Sequence, residues 1–205
     1  MTESADILVI GDSVLAWNGA AKASIGEVAA RQTNQTVLNL SVPGARLSHR
    51  NPDAARDGHD IRAQYRPGAW GWVILNGGAN DLLSECGCRQ CRDNLNGLIA
   101  ADGQSGDMVD LVRRVRADGA RVIVLGYYDG NAKPNPFQRC QDETDVLNAR
   151  LAQLAQRTPG VIYVDAGDVI DPDTPAHWFL DRVHPSRQGS ARIGALVAAA
   201  MAAAF

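Results

Sequence analysis

The stretch Val9-Ile10-Gly11-Asp12-Ser13-Val14-Leu15-Ala16-Trp17 decides how the chain is read. A short apolar run over residues 6–10 stops at a glycine, and an acid and a hydroxyl follow at once. Alone, Gly11-Asp12-Ser13 is a turn that ends a strand and caps a helix. Working outward, further short β-branched or apolar runs recur at residues 36–41, 70–76, 121–128 and 161–164. Such brief, nearly continuous apolar runs suit strands of a parallel sheet buried on both faces. Helical spacing fills the gaps. Residues 20–32 are Ala-rich with Ile25, Val28 and Ala29 on one side, and Met108, Val109, Leu111, Val112 and Val115 form a stripe ahead of Asp118-Gly119. Val146, Leu147, Leu151, Leu154 and Ala155 form another before Thr158-Pro159-Gly160, and Ser186 reads as an N-cap or first-turn residue of a final helix that includes residues 193–205. The β-α alternation predicts a three-layer α/β/α domain, one unit over residues 1–205, around about five parallel strands.

Composition narrows the function classes. The 205 residues are 45% hydrophobic and 21% charged, enough for one compact core. A formal net charge of -3 without a Lys/Arg cluster leaves no footprint for nucleic acid or an anionic membrane. Residues 193–205 are too short for the roughly 20 residues of a membrane span. No signal-peptide pattern precedes Ile7, and the N-terminus does not settle localisation. Two long segments rich in Gly, Asp, Asn and Arg, 43–67 and 80–106, are expected near the carboxyl edge of the sheet, where ligand sites are usual.

Four strand-end or late-loop positions carry chemistry: Ser13, Gly44, Asn80 and His184. Each has a bland reading, as a cap, a turn glycine, a polar loop residue and a surface histidine. In a parallel sheet the loops after successive strands converge on one edge, so the four can share a cleft. A serine at a strand-to-helix turn suits a nucleophile, because the helix N-terminus favours a developing anion. It needs a base, and His184 is the candidate, with Asp181 three residues earlier placed to fix its tautomer and stabilise the imidazolium. The N–H groups of Ser13 and Gly44 and the side-chain amide of Asn80 are candidate oxyanion donors, each worth roughly 10²–10³ in rate.

With these blocks in view, the sequence resembles the SGNH subgroup of GDSL-type esterases and lipases. The resemblance rests on Gly11-Asp12-Ser13, on Gly44, on Gly78-Ala79-Asn80-Asp81 as the G-x-N-D block, and on Asp181-Arg182-Val183-His184 as the D-x-x-H block. It spans nearly the whole chain. It implies a flavodoxin-like α/β/α hydrolase with Ser13 as nucleophile, His184 as base, Asp181 as its orienting acid, and Gly44 and Asn80 completing the oxyanion hole, without metal or organic cofactor. Asp12 and Asp81 match positions that support loops rather than react. The G-x-S-x-G elbow of another serine-hydrolase fold is absent around Ser13.

Cys86, Cys88, Cys91 and Cys140 lie outside these blocks. They admit two disulfides in any of three pairings, a four-thiolate structural zinc site, or free thiols. Disulfides imply a periplasmic or secreted protein; otherwise the cytoplasm is expected. Trp70 and Trp72 read as core or sheet-face residues, while Trp17 and Trp178, each near a catalytic candidate, read as cleft residues. His177 reads as a surface histidine, His49 and His59 as loop residues. Arg46 is either an anion contact or a surface salt bridge. Together these readings predict a serine esterase that cleaves short to medium acyl esters of small molecules or glycans, acetylated carbohydrate among them, through an acyl-enzyme on Ser13. The alternatives are a thioesterase or lysophospholipase-type acyl hydrolase and a non-catalytic acyl-glycan-binding domain. A nucleotide-binding module is disfavoured, since neither G-x-G-x-x-G nor G-x-x-x-x-G-K-[ST] follows the first strand. Oligomeric state is not readable.

Overall fold

A computed structural model describes residues 5–49 and 51–204. Arg50, inside the 43–67 segment, and Phe205, the last residue of the expected terminal helix, lie outside the described residues. Five strands form one sheet: β1 (Ile7–Ile10), β2 (Val37–Asn39), β3 (Trp72–Leu75), β4 (Arg121–Leu125) and β5 (Val161–Val164). All pairings are parallel and the order is β2-β1-β3-β4-β5. Ile7 pairs with Val37 on one side and Trp72 on the other, and Trp72 in turn with Arg121. The central strands are apolar because both faces are covered; every residue of β1 and β3 is buried, whereas edge strand β2 is half-buried throughout.

In this order the chain leaves β1 toward one edge and β3 toward the other. Right-handed crossovers then place helices on opposite faces, and a crevice opens between the carboxyl ends of β1 and β3. The helices are α1 (Ser13–Ala16), α2 (Ile25–Gln32), α3 (Pro52–Arg56), α4 (Ile61–Gln64), α5 (Ala79–Asp81), α6 (Arg92–Leu98), α7 (Asp107–Ala117), α8 (Gln141–Arg157) and α9 (Arg187–Ala202). A wide π-type turn, Leu82–Cys86, follows α5. Helices α2 and α9 pack on each other and reach β1 and β5, while α7 covers β4 and α8 covers β5. Gly26 lets α2 sit close on the sheet, since a Cβ there would lie 2.5 Å from Val9.

The helix expected over residues 20–32 begins only at Ile25. Ser24 accepts from the Glu27 N–H and Glu27 accepts from the Ser24 N–H, a capping box that outweighs the helical preference of the preceding alanines. The stripe at 146–155 belongs to a longer helix, α8, and Ser186 caps α9 by accepting from the Gly189 N–H. Among the described residues no helix is long and apolar enough to cross a membrane.

Candidate active site

Ser13 opens α1, the single helical turn after β1. Asp12 caps that turn: one carboxylate oxygen accepts from the Val14 N–H at 2.9 Å and from the Asn76 amide at 2.8 Å. The other accepts from the Tyr127 hydroxyl at 2.6 Å, and Tyr127 itself accepts from the Ala79 N–H at 3.4 Å. The Asp12 N–H donates to Asn76 Oδ1 at 3.0 Å. Gly11 is held the same way, donating to Gln64 Oε1 at 2.6 Å and accepting from Gln64 Nε2 at 3.0 Å. Its φ of +151° and a would-be Cβ only 1.9 Å from Asn76 Oδ1 demand glycine. Asn76, Tyr127 and Gln64 come from the ends of β3, β4 and α4, so three distant elements clamp one turn. With only one turn, α1 has little macrodipole; anion stabilisation at Ser13 rests on individual N–H donors.

Burial pushes the Asp12 carboxyl up, against the pull of the Tyr127 hydroxyl, the Val14 N–H, the Asn76 amide and the charge of His184. Burial also pushes the Tyr127 and Tyr128 hydroxyls well above their ordinary value, aided by the charge of Asp12. Asp12 is therefore a buried structural acid.

The opposing wall is a tight turn before α9. Phe179 donates its N–H to His184 O at 2.8 Å, and Arg182, with φ +61°, donates to Phe179 O at 3.0 Å. Within this turn His184 Nδ1 and Asp181 Oδ2 lie 2.7 Å apart, and Asp181 Oδ1 accepts from the Val183 and His184 N–H groups, both at 3.0 Å. Partial burial pushes the Asp181 carboxyl up, but the His184 N–H, its imidazole and the Val183 N–H outweigh it and hold Asp181 below its ordinary value. The two walls meet through Trp17, whose ring stacks on His184, and through Asn18, whose amide donates to Pro185 O at 3.2 Å.

Asn80 sits in α5, the short turn after β3, and donates to Ala45 O at 3.2 Å, holding the turn that carries Gly44. Gly44 has φ +78° and is exposed on that turn. Asp81, fully buried, accepts from the Leu47 and Ser48 N–H groups at 3.2 and 2.8 Å. Asp12 and Asp81 thus support loops, as their positions suggested. A narrow cavity of about 50 Å³ lies between these walls. Its lining includes Ser13, Val14, Asn80, Tyr127, Tyr128 and Phe137, together with Arg182 and Val183 from the histidine turn. Gly44, Asp181 and His184 flank this lining without forming part of it. The Ser13 hydroxyl makes no hydrogen bond among the described residues.

Two aromatic expectations change. Trp17 faces the imidazole rather than the cavity, and Trp178 is buried, donating to Asp171 O at 3.0 Å and packing edge-on against Tyr128. Trp178 instead borders a second groove with Phe179, Leu180 and Arg182, and Arg182 lines the first cavity as well. His177 is not a surface histidine: it is buried, and its Nδ1 accepts from the Asp171 N–H at 3.0 Å. Arg46 makes the salt-bridge choice, 3.8 Å from Glu85. Trp72 is core, and Trp70 packs against the core from outside β3.

The cysteines are paired, Cys86 with Cys91 and Cys88 with Cys140. The second bridge ties the segment following Asn80 to the start of α8, where Phe137, Gln141 and Thr144 line the cavity. Gln64, Asn76 and Tyr127 were not singled out from sequence. Asn76, a polar residue ending an otherwise apolar strand, was the available signal.

A family model described as the GDSL-like lipase/acylhydrolase family matches residues 9–192. Among solved structures, the chain is similar to a carbohydrate acetylesterase from Sinorhizobium meliloti (19% identity, TM-score 0.70, 97% of this chain and 99% of that one). It is also similar to the native aryl esterase of M. smegmatis (20% identity, TM-score 0.70, 97% and 99%). At these identities the likeness is one of fold. No curated protein matches the sequence.

Proposed function

The chain belongs to the GDSL-like lipase/acylhydrolase family and is an ester-hydrolysing enzyme, and on that premise we propose a serine esterase for short acyl groups, acetyl on carbohydrate among them. The hydrogen bond between His184 Nδ1 and Asp181 Oδ2 at 2.7 Å carries the reading, because it fixes the tautomer that leaves Nε2 free to act as a base. In this mechanism His184 Nε2 takes the Ser13 hydroxyl proton as Oγ bonds to the ester carbonyl carbon. The resulting oxyanion is met by the N–H groups of Ser13 and Gly44 and by the second amide N–H of Asn80, the first being committed to Ala45. Collapse expels the alcohol, which takes its proton from His184. Water, activated by the same imidazole, then releases the acid.

Cavity size supports the short acyl chain. The space beside Ser13 is narrow, about 50 Å³, and walled by Val14, Ala79, Tyr127 and Phe137, which favours a small acyl group over a long one. The alcohol would leave along the groove that Phe179, Leu180 and Arg182 border, where the exposed Phe179 ring suits a sugar face. Initial rates on p-nitrophenyl esters of rising chain length, beside acetylated sugars and acetyl-CoA, test this. The proposal expects kcat/KM to peak at about two to four carbons and to fall with further methylenes. A maximum at about eight carbons or more would refute it.

A further inference from the structure

Trp17 lies where neither a substrate contact nor simple helix packing accounts for its geometry. Its indole is stacked on the His184 imidazole with ring centroids 3.8 Å apart and planes 9° from parallel. Phe179 meets the same indole edge-on at 5.2 Å. The Trp17 N–H donates to Ser13 O at 2.8 Å, so the nucleophile and the residue that touches the base are one helical turn apart. Asn18, next in sequence, donates to both Pro185 O and Ser190 Oγ, fastening this turn to the segment that follows His184.

A planar ring held by one hydrogen bond keeps a rotational freedom. The bond from Nδ1 to Asp181 sets the tautomer and one direction, but the imidazole can still swing about the Nδ1···Oδ2 axis. A face-to-face stack removes that swing and sets where Nε2 points. An indole face also attracts a cation, most strongly when the site is shielded from water. The imidazole becomes a cation only when it has taken the Ser13 proton, so this attraction favours the transition state over the resting enzyme.

We propose that Trp17 is a positioning residue for His184, holding its ring plane and stabilising the imidazolium formed as Ser13 attacks. The inference rests on the reading of His184 as the base. Other charged or titratable groups lie around the same turn and are unchanged in the variants below. They are Asp181 from its own turn, Asp12 from the cap of α1, Arg182 two residues before it, and Tyr128, whose hydroxyl donates to Val183 O at 2.8 Å.

Trp17→Leu keeps bulk and removes the aromatic face; Trp17→Phe restores a face. For Trp17→Leu the expected result is a kcat about 10-fold lower with KM changed less than about two-fold. The acidic limb of the kcat/KM profile moves down by about half to one pH unit, since the imidazolium loses support. Trp17→Phe recovers most of both. In proton NMR of the wild type, the His184 ring protons lie upfield through the ring current of Trp17, and in Trp17→Leu they return to ordinary positions. An unmoved acidic limb in Trp17→Leu, while His184→Ala is inactive, overturns the inference and leaves the base assignment standing. Wild-type turnover by His184→Ala overturns the base assignment itself. Should Trp17→Leu not fold, ordinary His184 ring shifts in the wild type, or a Trp17→Phe enzyme with ring shifts and limb both unmoved, would still overturn it.

Discussion

Replacing Tyr127 by Phe deletes one oxygen from the clamp around the Ser13 turn. That oxygen donates to Asp12 Oδ2 at 2.6 Å and accepts from the Ala79 N–H at 3.4 Å, both in the fully buried end of the crevice. Among the described residues Asp12 Oδ2 has no second donor, so the variant leaves a buried carboxylate oxygen unpaired. A hydrogen bond to a charged buried group contributes about 1.5–3 kcal/mol. For a chain of 205 residues that loss lowers Tm by roughly 3–12 °C. The effect is pH-dependent. Burial raises the folded-state pKa of Asp12 above its unfolded value, so the folded chain holds this proton more tightly and the group favours folding most at acid pH, losing that contribution as pH rises through the raised value. Removing the Tyr127 donor raises that pKa further, so the penalty is larger at pH 7 than at pH 4. Urea titrations of wild type and Tyr127→Phe at both pH values measure it, with the difference between the two proteins cancelling other titrating groups. A penalty below about 0.5 kcal/mol at pH 7, or one that grows on acidification, would refute the reasoning.

Asp181→Asn preserves the turn but reverses the partner of His184 Nδ1, and kcat should fall by about 10²–10⁴ in a steady-state ester assay with Tm little changed. Gly11→Ala forces a Cβ into Asn76 Oδ1 and should cost roughly 2–4 kcal/mol by urea unfolding, with activity lost in parallel. Cys88→Ser/Cys140→Ser opens a link spanning 52 residues and should cost about 2–4 kcal/mol while raising KM more than it lowers kcat, because Phe137 and Thr144 lose their anchor.

The parts of this structure that announce themselves in sequence are those with a repeating physical signature. Apolar runs such as 70–76 are too short for a buried helix and suit a strand covered on both faces, and Ser186 with its following helix is a local cap. The four strand-end blocks are individually ordinary turn chemistry; their order, imposed on a parallel sheet, brings them to one edge. Gln64, Asn76 and Tyr127 escaped because each is a single polar side chain whose partner lies 53 to 115 residues away, and no local pattern encodes such a partnership. His177 escaped for the same reason, its burial depending on how the turn before α9 folds over α9 itself. Cysteine pairing depends on where α8 begins relative to the turn after Asn80, which spacing does not encode. Trp17 was placed near the chemistry by proximity in sequence, but its orientation toward His184 is a tertiary fact.

Covalent labelling by a fluorophosphonate probe, read by mass spectrometry of the digested protein, tests the central claim most directly. The account predicts a single adduct on the peptide carrying Ser13, lost in Ser13→Ala together with hydrolysis of p-nitrophenyl acetate. No adduct at Ser13, or a Ser13→Ala enzyme that hydrolyses the ester at the wild-type rate, would contradict it.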